Sequence, residues 1–85
     1  MKEILFDDIK INDYVVIKEK KTLKIGFGLF KVKGFNKEEK SENNNFSTIP
    51  INNKKFSDTH EYSIWKSNNY FYYRLSEDEV FAELI

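Results

Sequence analysis

The fold of this chain is decided by residues 62–80, YSIWKSNNYFYYRLSEDEV. Two runs of aromatic and β-branched residues, Thr59–Lys66 and Tyr70–Leu75, predict two strands. Between them stand Asn68 and Asn69, and asparagine tolerates the positive φ that a two-residue hairpin turn requires. The pattern therefore predicts an antiparallel hairpin near the end of the chain.

The register of this hairpin divides its side chains between two faces. With the two asparagines as the loop, Trp65 lies opposite Tyr72 and Ser63 lies opposite Arg74. The face predicted to be core consists of Tyr62, Ile64, Phe71, Tyr73 and Leu75. The opposite face consists of Ser63, Trp65, Ser67, Tyr70, Tyr72 and Arg74.

A capping box follows the second strand of the hairpin. Ser76 and Glu79 are three positions apart, so each side chain can accept a hydrogen bond from the backbone amide of the other. Leu75 and Val80 occupy the positions of a hydrophobic staple, and three acids complement the positive end of a helix dipole. A short C-terminal helix is therefore predicted. Its expected apolar stripe consists of Val80, Phe81, Leu84 and Ile85.

A change of phase marks the middle of the chain. Tyr14–Ile17 is β-branched and bounded by polar residues, which predicts a strand. Residues 23–35 alternate between apolar and polar, but the apolar set moves from odd positions to even ones after Leu29. A slip of one residue turns every following side chain to the other face, so a bulge or bend near Leu29 is predicted.

The remaining segments complete the predicted architecture. Residues 36–45 are polar and without periodicity, which predicts a flexible loop. Pro50 lies in a short strand and favours a sheet edge. We expect a single domain spanning residues 1–85, of class α+β but mostly β. Its predicted form is a small antiparallel β-roll or SH3-like barrel of five to six strands with one short C-terminal helix.

Composition and charge limit the classes of function. The chain of 85 residues is 40% apolar and 16% aromatic and has no cysteine, so it can form one modest core without disulfides. No apolar run exceeds four residues, which argues against a membrane partner and predicts a cytoplasmic location. Fourteen basic and fourteen acidic groups cancel, which disfavours nucleic acid as the main partner. Residues 1–40 carry net charge +3 and residues 41–85 carry −3, a polarity that favours self-association.

The leading candidate site is the hairpin face that carries Trp65, Tyr70 and Tyr72 with Arg74 and Ser63. Aromatic rings stack on planar bases, and a guanidinium group binds phosphate or an acidic partner. The same rings can instead pack in a core or in a subunit interface, where Trp, Tyr and Arg are enriched. The pattern predicts a ligand-binding or partner-binding face, with both structural alternatives open.

No motif predicts catalysis, a metal or a cofactor. His60 is the one imidazole, and the chain has neither a cysteine nor a Gly-x-Ser-x-Gly elbow. Asp58, His60 and Glu61 lack the spacing of a closed metal site. The glycines of residues 26–28 lack the third glycine and the helix of a phosphate-binding loop. We therefore expect a protein that is not an enzyme.

An alternative surface consists of Lys24, Phe27, Lys31 and Lys33. Lysines on phosphates and a ring on bases are typical of proteins that bind single strands, so this surface predicts a nucleic-acid-binding β-barrel as the alternative function. Alternating lysines also keep edge strands from pairing, which makes a solvated face the simpler interpretation.

These observations together predict a small binding protein that forms homo-oligomers. Nine Asn, nine Ile and a single Ala are typical of an A/T-rich genome, which favours a phage or mobile element acting in the host cytoplasm. The predicted action is to sequester a nucleotide-like ligand or to block a host defence protein.

Overall fold

The computed structural model describes residues 1–22, 25–36, 45–51 and 60–83. Within these residues a 3-10 turn, Phe6–Asp8, follows the first strand, and one helix, α1 (Glu77–Glu83), follows the last. The strands are β1 (Lys2–Ile4), β2 (Tyr14–Glu19), β3 (Ile25–Asn36), β4 (Asn45–Pro50), β5 (Tyr62–Trp65) and β6 (Tyr70–Leu75). Residues 37–44 of the predicted flexible loop lie outside the described residues.

The strands form one antiparallel sheet in the order β1-β6-β2-β3-β4-β5, which is not closed. In a flat sheet, four strand spacings, or about 19 Å, would separate β6 from β5. However, the hydroxyl of Tyr72 on β6 donates a hydrogen bond of 3.2 Å to the carbonyl of Trp65 on β5. The sheet is therefore curled into an open roll. This confirms the predicted class, a mostly β, barrel-like fold with a short C-terminal helix.

The predicted hairpin is wrong, although both of its strands are present. β5 pairs with β4, and β6 lies between β1 and β2. The expected turn needs a positive φ at Asn68 and at Asn69, and neither residue has one. Among the described non-glycine residues only Asn12 has a positive φ, at 74°. The physical reason lies in β6, where Tyr72 and Leu75 are buried on opposite faces of the sheet. A strand buried on both faces is typical of the interior of a sheet, not of a two-stranded hairpin.

The irregularity predicted in β3 occurs at two places. Against β2 the register shifts beside Gly28, whose φ of 91° favours glycine. Against β4 it shifts between Val32 and Gly34. Leu29 and Phe30 are buried in different clusters, so the change of phase at Leu29 also marks a strand that is covered on both sides.

Two apolar clusters pack against the sheet. The inner cluster lies inside the roll around Phe6, whose ring centroid is 5.7 Å from Phe35, 5.2 Å from Phe46 and 5.4 Å from Tyr72. Because Phe6 contacts rings from β3, β4 and β6, it joins strands that are not neighbours in the sheet. The outer cluster lies beneath α1 and consists of Val16, Leu29, Leu75 and Val80.

The helix begins as the sequence predicts. The Ser76 amide donates to the Glu79 carboxylate at 3.1 Å, and the Glu79 amide donates to the Ser76 hydroxyl at 3.2 Å. The amino group of Met1 and then the Ser76 amide hold the pKa of Glu79 below its ordinary value. Leu75 and Val80 are both buried in the outer cluster, which confirms the predicted staple.

Two expectations at the periphery of the sheet need correction. β4, which contains Pro50, is not the expected edge strand, because it lies between β3 and β5. Pro50 is tolerated there because β5 pairs only with Asn45–Thr48, so the missing N–H of Pro50 interrupts no bond to β5. Phe81 does not join the apolar stripe, because its side chain is 68% exposed while Val80 packs on the sheet. Residues 84–85 of that stripe lie outside the described residues.

Candidate functional site

A cavity of about 350 Å³ lies where the roll stays open, between β5 and the start of β6. Its walls are formed by Phe30, all four residues of β5, Ser67 and Tyr70. β5 is an edge of the sheet, and the gap along its unpaired side is called the seam below. The cavity is therefore a consequence of a sheet that curls without closing.

Side-chain hydrogen bonds and an ion pair connect the two sides of the seam at one end. The Tyr72 hydroxyl donates to the Trp65 carbonyl and accepts a hydrogen bond of 3.1 Å from the Ser67 amide. Lys66 forms an ion pair with Asp7 at 3.2 Å, which connects the end of β5 to the turn after β1. Burial raises the pKa of the Tyr72 phenol, an effect that the bond from Ser67 partly opposes. The Tyr72 phenol is therefore neutral, and its hydroxyl has a structural role in connecting β6 to the end of β5.

The backbone of β5 also faces the seam. The Trp65 carbonyl accepts from Tyr72, whereas the Tyr62 carbonyl accepts a bond of 2.9 Å from the Thr48 hydroxyl on β4. Alternate residues of an antiparallel strand direct their N–H and C=O groups to opposite sides. Ser63, two positions before Trp65, therefore directs one backbone donor and one acceptor toward the seam.

Three of the predicted site residues meet at this cavity. Trp65 is 51% exposed, Ser63 is exposed, and Tyr70 is half-buried against the inner cluster. The lining includes no Asp, Glu, Lys, Arg or His, so the cavity combines aromatic walls with hydroxyl and backbone polar groups. Such a lining suits a planar, uncharged ring with hydrogen-bonding edges.

The other two predicted residues lie elsewhere. Tyr72 is 4% exposed and belongs to the inner cluster, so its ring is not available to a ligand. Arg74 donates from Nε to the Asp13 carboxylate at 2.9 Å and from its terminal nitrogen to the Asp8 carbonyl. The hairpin register that placed both opposite Ser63 and Trp65 is absent, so the five residues do not form one face.

Four residues of the cavity wall are not among the predicted site residues: Phe30, Tyr62, Ile64 and Ser67. Phe30 comes from β3, and no local pattern indicates that β3 lies near β5. The one sequence signal for Phe30 is its position directly after the change of phase at Leu29. From that point the apolar side chains of β3 lie on the opposite face of the sheet.

The alternative surface is only partly described. Lys24 and the side chain of Phe27 lie outside the described residues. Lys33 is exposed on β3, and the Lys31 ammonium lies 5.7 Å from the centroid of the Tyr14 ring. Its two described members are therefore both on β3, and only Lys31 contacts a ring there.

Several other features bear on the class of protein. Within the described parts of the chain, no helix has the length and apolar character to cross a membrane. His60 and Glu61 are exposed, and Asp58 lies outside the described residues. Comparison with the models of protein families, with curated proteins and with solved structures found no match to this chain.

Proposed function

We propose that this protein is a non-enzymatic binding protein whose seam cavity holds the base of a nucleotide-like ligand. The observation that carries the proposal is the meeting of Trp65 and Tyr70 around the backbone of Ser63. Ring stacking contributes about 1–3 kcal/mol per base. The donor and acceptor of Ser63 match the mixed hydrogen-bonding edge of a nucleobase, and a volume of about 350 Å³ is in the usual range of ligand cavities.

Charged groups lie next to this cavity without entering it. A second hollow, of about 570 Å³, shares Tyr70 and is lined by Lys20 and Lys21. Glu19 accepts a hydrogen bond of 3.0 Å from the Thr22 hydroxyl, and neither lysine pairs with a carboxylate among the described residues. Glu19 lines the same hollow, so the two lysines give it a net positive charge. A phosphate attached to a ring in the seam can pair with these lysines on the other side of Tyr70.

Sequestration is the mode of action that we propose for this site. It is supported by the lack of a nucleophile–base pair in the sequence and by an open cavity walled with aromatic residues. The A/T-rich composition supports a phage or mobile element as the source. In that setting the ligand is a nucleotide-like signal of host defence, removed in the host cytoplasm by a homo-oligomer of this chain.

Calorimetric titration with the four nucleoside monophosphates tests the proposal. We expect saturable binding of at least one, and an affinity about 5- to 150-fold weaker for Trp65→Leu, the loss of one stacked base. Trp65 is half exposed, so the variant should keep its fold. The matched control is Phe81→Leu, which removes an exposed ring on α1 and should bind as the wild type does. The proposal fails if no nucleotide binds or if both variants bind equally well.

A further inference from the structure

A second surface lies on the outside of the sheet. Three lysine ammonium groups lie over three aromatic rings at 5.0, 5.1 and 5.7 Å from the ring centroids. The pairs are Lys18 with Tyr73, Lys20 with Phe71 and Lys31 with Tyr14. These six residues are called the outer Lys–aromatic face below.

This face is opposite to the seam cavity. Tyr14 and Tyr73 pack against the outer cluster, whereas Tyr70 packs against the inner cluster inside the roll. Side chains alternate along a strand, so Lys18 shares the side of Tyr14, and Phe71 shares the side of Tyr73. The helix covers one part of this side through Val80, and the aromatic rings beside it remain half-buried.

No lysine of this face forms an ion pair within the described residues. The ion pairs there join Met1 with Glu79, Lys66 with Asp7 and Arg74 with Asp13, and none includes a lysine of the face. Glu19 alternates to the other side of β2 and accepts from Thr22. Glu3 is opposite Tyr73 on β1 and shares this side of the sheet. The three lysines therefore leave a local excess of positive charge that the zero net charge of the whole chain does not show.

Protection of an edge strand does not explain these lysines. Lys18 lies on β2 and Lys31 on β3, and each of these strands is paired on both sides. Lysines are used against unwanted pairing where a strand has a free edge, which neither strand has. The topology therefore excludes edge protection as the reason for Lys31.

We propose that the outer Lys–aromatic face binds single-stranded nucleic acid. Each pair offers a ring for a base and an ammonium group for the neighbouring phosphate. On binding, the ammonium moves from the ring to the phosphate, and the base takes its place on the ring. A duplex cannot use these rings because its base faces are already stacked, and an acidic protein would leave the rings unused. This surface lies on the other side of the sheet from the seam cavity and shares Lys20 with the phosphate position proposed there. Its argument does not depend on the function proposed for the seam.

Fluorescence anisotropy of labelled oligo(dT), measured over a series of salt concentrations, tests the proposal. On a single strand, each lysine–phosphate contact contributes about −0.7 to the slope of log affinity against log salt concentration. Three such contacts predict a slope of about −2. Replacing Lys18→Gln and Lys31→Gln together should reduce the slope to about −0.7. Phe71→Leu should weaken binding about 5- to 150-fold through the loss of one stacked base.

The matched control replaces Lys2→Gln and Lys10→Gln, two exposed lysines on the β1 side, with the same change in net charge. It should keep the wild-type slope, and Trp65→Leu should keep the affinity for oligo(dT). The proposal is overturned by the absence of saturable binding, or by equal affinity for duplex DNA or polyglutamate. It is also overturned if the control pair has the effect expected of Lys18 and Lys31, or if Trp65→Leu abolishes binding, which would place the strand in the seam.

Discussion

The hydroxyl group of Tyr72 connects two strands that the sheet itself does not pair. It donates to Trp65 and accepts from Ser67, so it satisfies one carbonyl and one amide at the end of the seam. A tyrosine in a sequence does not reveal whether it offers its ring to a ligand or its hydroxyl to the backbone. Here the second use applies, because curling of the sheet brings β5 over β6.

Replacing Tyr72→Phe should lower the free energy of unfolding by about 1–2 kcal/mol, since a carbonyl and an amide lose their shared partner. Urea denaturation measures the change. Tyr73→Phe is the matched control, because the Tyr73 hydroxyl forms no hydrogen bond within the described residues, and it should change stability by less than about 0.5 kcal/mol. Equal effects of the two substitutions would contradict the role given to Tyr72.

The same residue predicts a loss of stability at alkaline pH. Burial raises the pKa of Tyr72 above its ordinary value of 10.0 in the folded state, so the unfolded chain releases this proton first. The stabilisation is complete below pH 10.0 and decreases as the pH rises through the folded-state pKa. Urea denaturation below and above pH 10.0 should show that the free energy of unfolding declines more steeply with pH for the wild type than for Tyr72→Phe. Parallel declines would show that Tyr72 titrates as it does in the unfolded chain.

At the scale of elements, α1 depends on its first turn. The helix is too short to be stable alone, so its capping box and its contact through Val80 have to act together. Ser76→Ala should lower the free energy of unfolding by about 1 kcal/mol because the Glu79 amide loses its acceptor. Thermal or urea unfolding measures this, with the exposed Ser63→Ala as a control that removes a hydroxyl without a cap. A loss of helical circular dichroism without a change in stability would show that α1 folds independently of the sheet.

The elements also show what the sequence could predict. The capping box of Ser76 and Glu79 was recoverable because its partners are three residues apart. β5 and β6 were recoverable as strands, but their partners were not. Tyr70–Leu75 is buried on both faces by contacts distant in the chain and lies between β1 and β2, and no local pattern shows this. The candidate site followed the same division. Trp65, Tyr70 and Ser63 meet as expected, whereas Arg74 is held by Asp13, a residue 61 positions away in the chain.

At the scale of the whole molecule, the strand order makes folding a long-range process. β1 pairs with β6, so the first and last strands have to meet before the roll is complete. Topologies dominated by such contacts fold in milliseconds to seconds, more slowly than helical bundles of the same size. Stopped-flow refolding followed by the fluorescence of Trp65, the single tryptophan, should show this range. Microsecond refolding would mean that β5 reaches its native environment before the sheet is assembled. Lys66→Gln is the control for this experiment. Its exposed ion pair with Asp7 contributes little to stability, so the variant should refold at the wild-type rate.

The position of β3 has a consequence for amide hydrogen exchange. The backbone of residues Leu29–Val32 is hydrogen-bonded on both sides. One side bonds to β2 or to the turn before β2, and the other side bonds to β4 or to Ile51 just after β4. Their amides are therefore released to solvent only when the roll opens as a whole, and their protection reports the global free energy of unfolding. The amides of β1 and β5, each paired on a single side, become accessible through local fraying. Local fraying of β5 can therefore admit a ligand to the cavity while β3 keeps its hydrogen bonds and the protein stays folded.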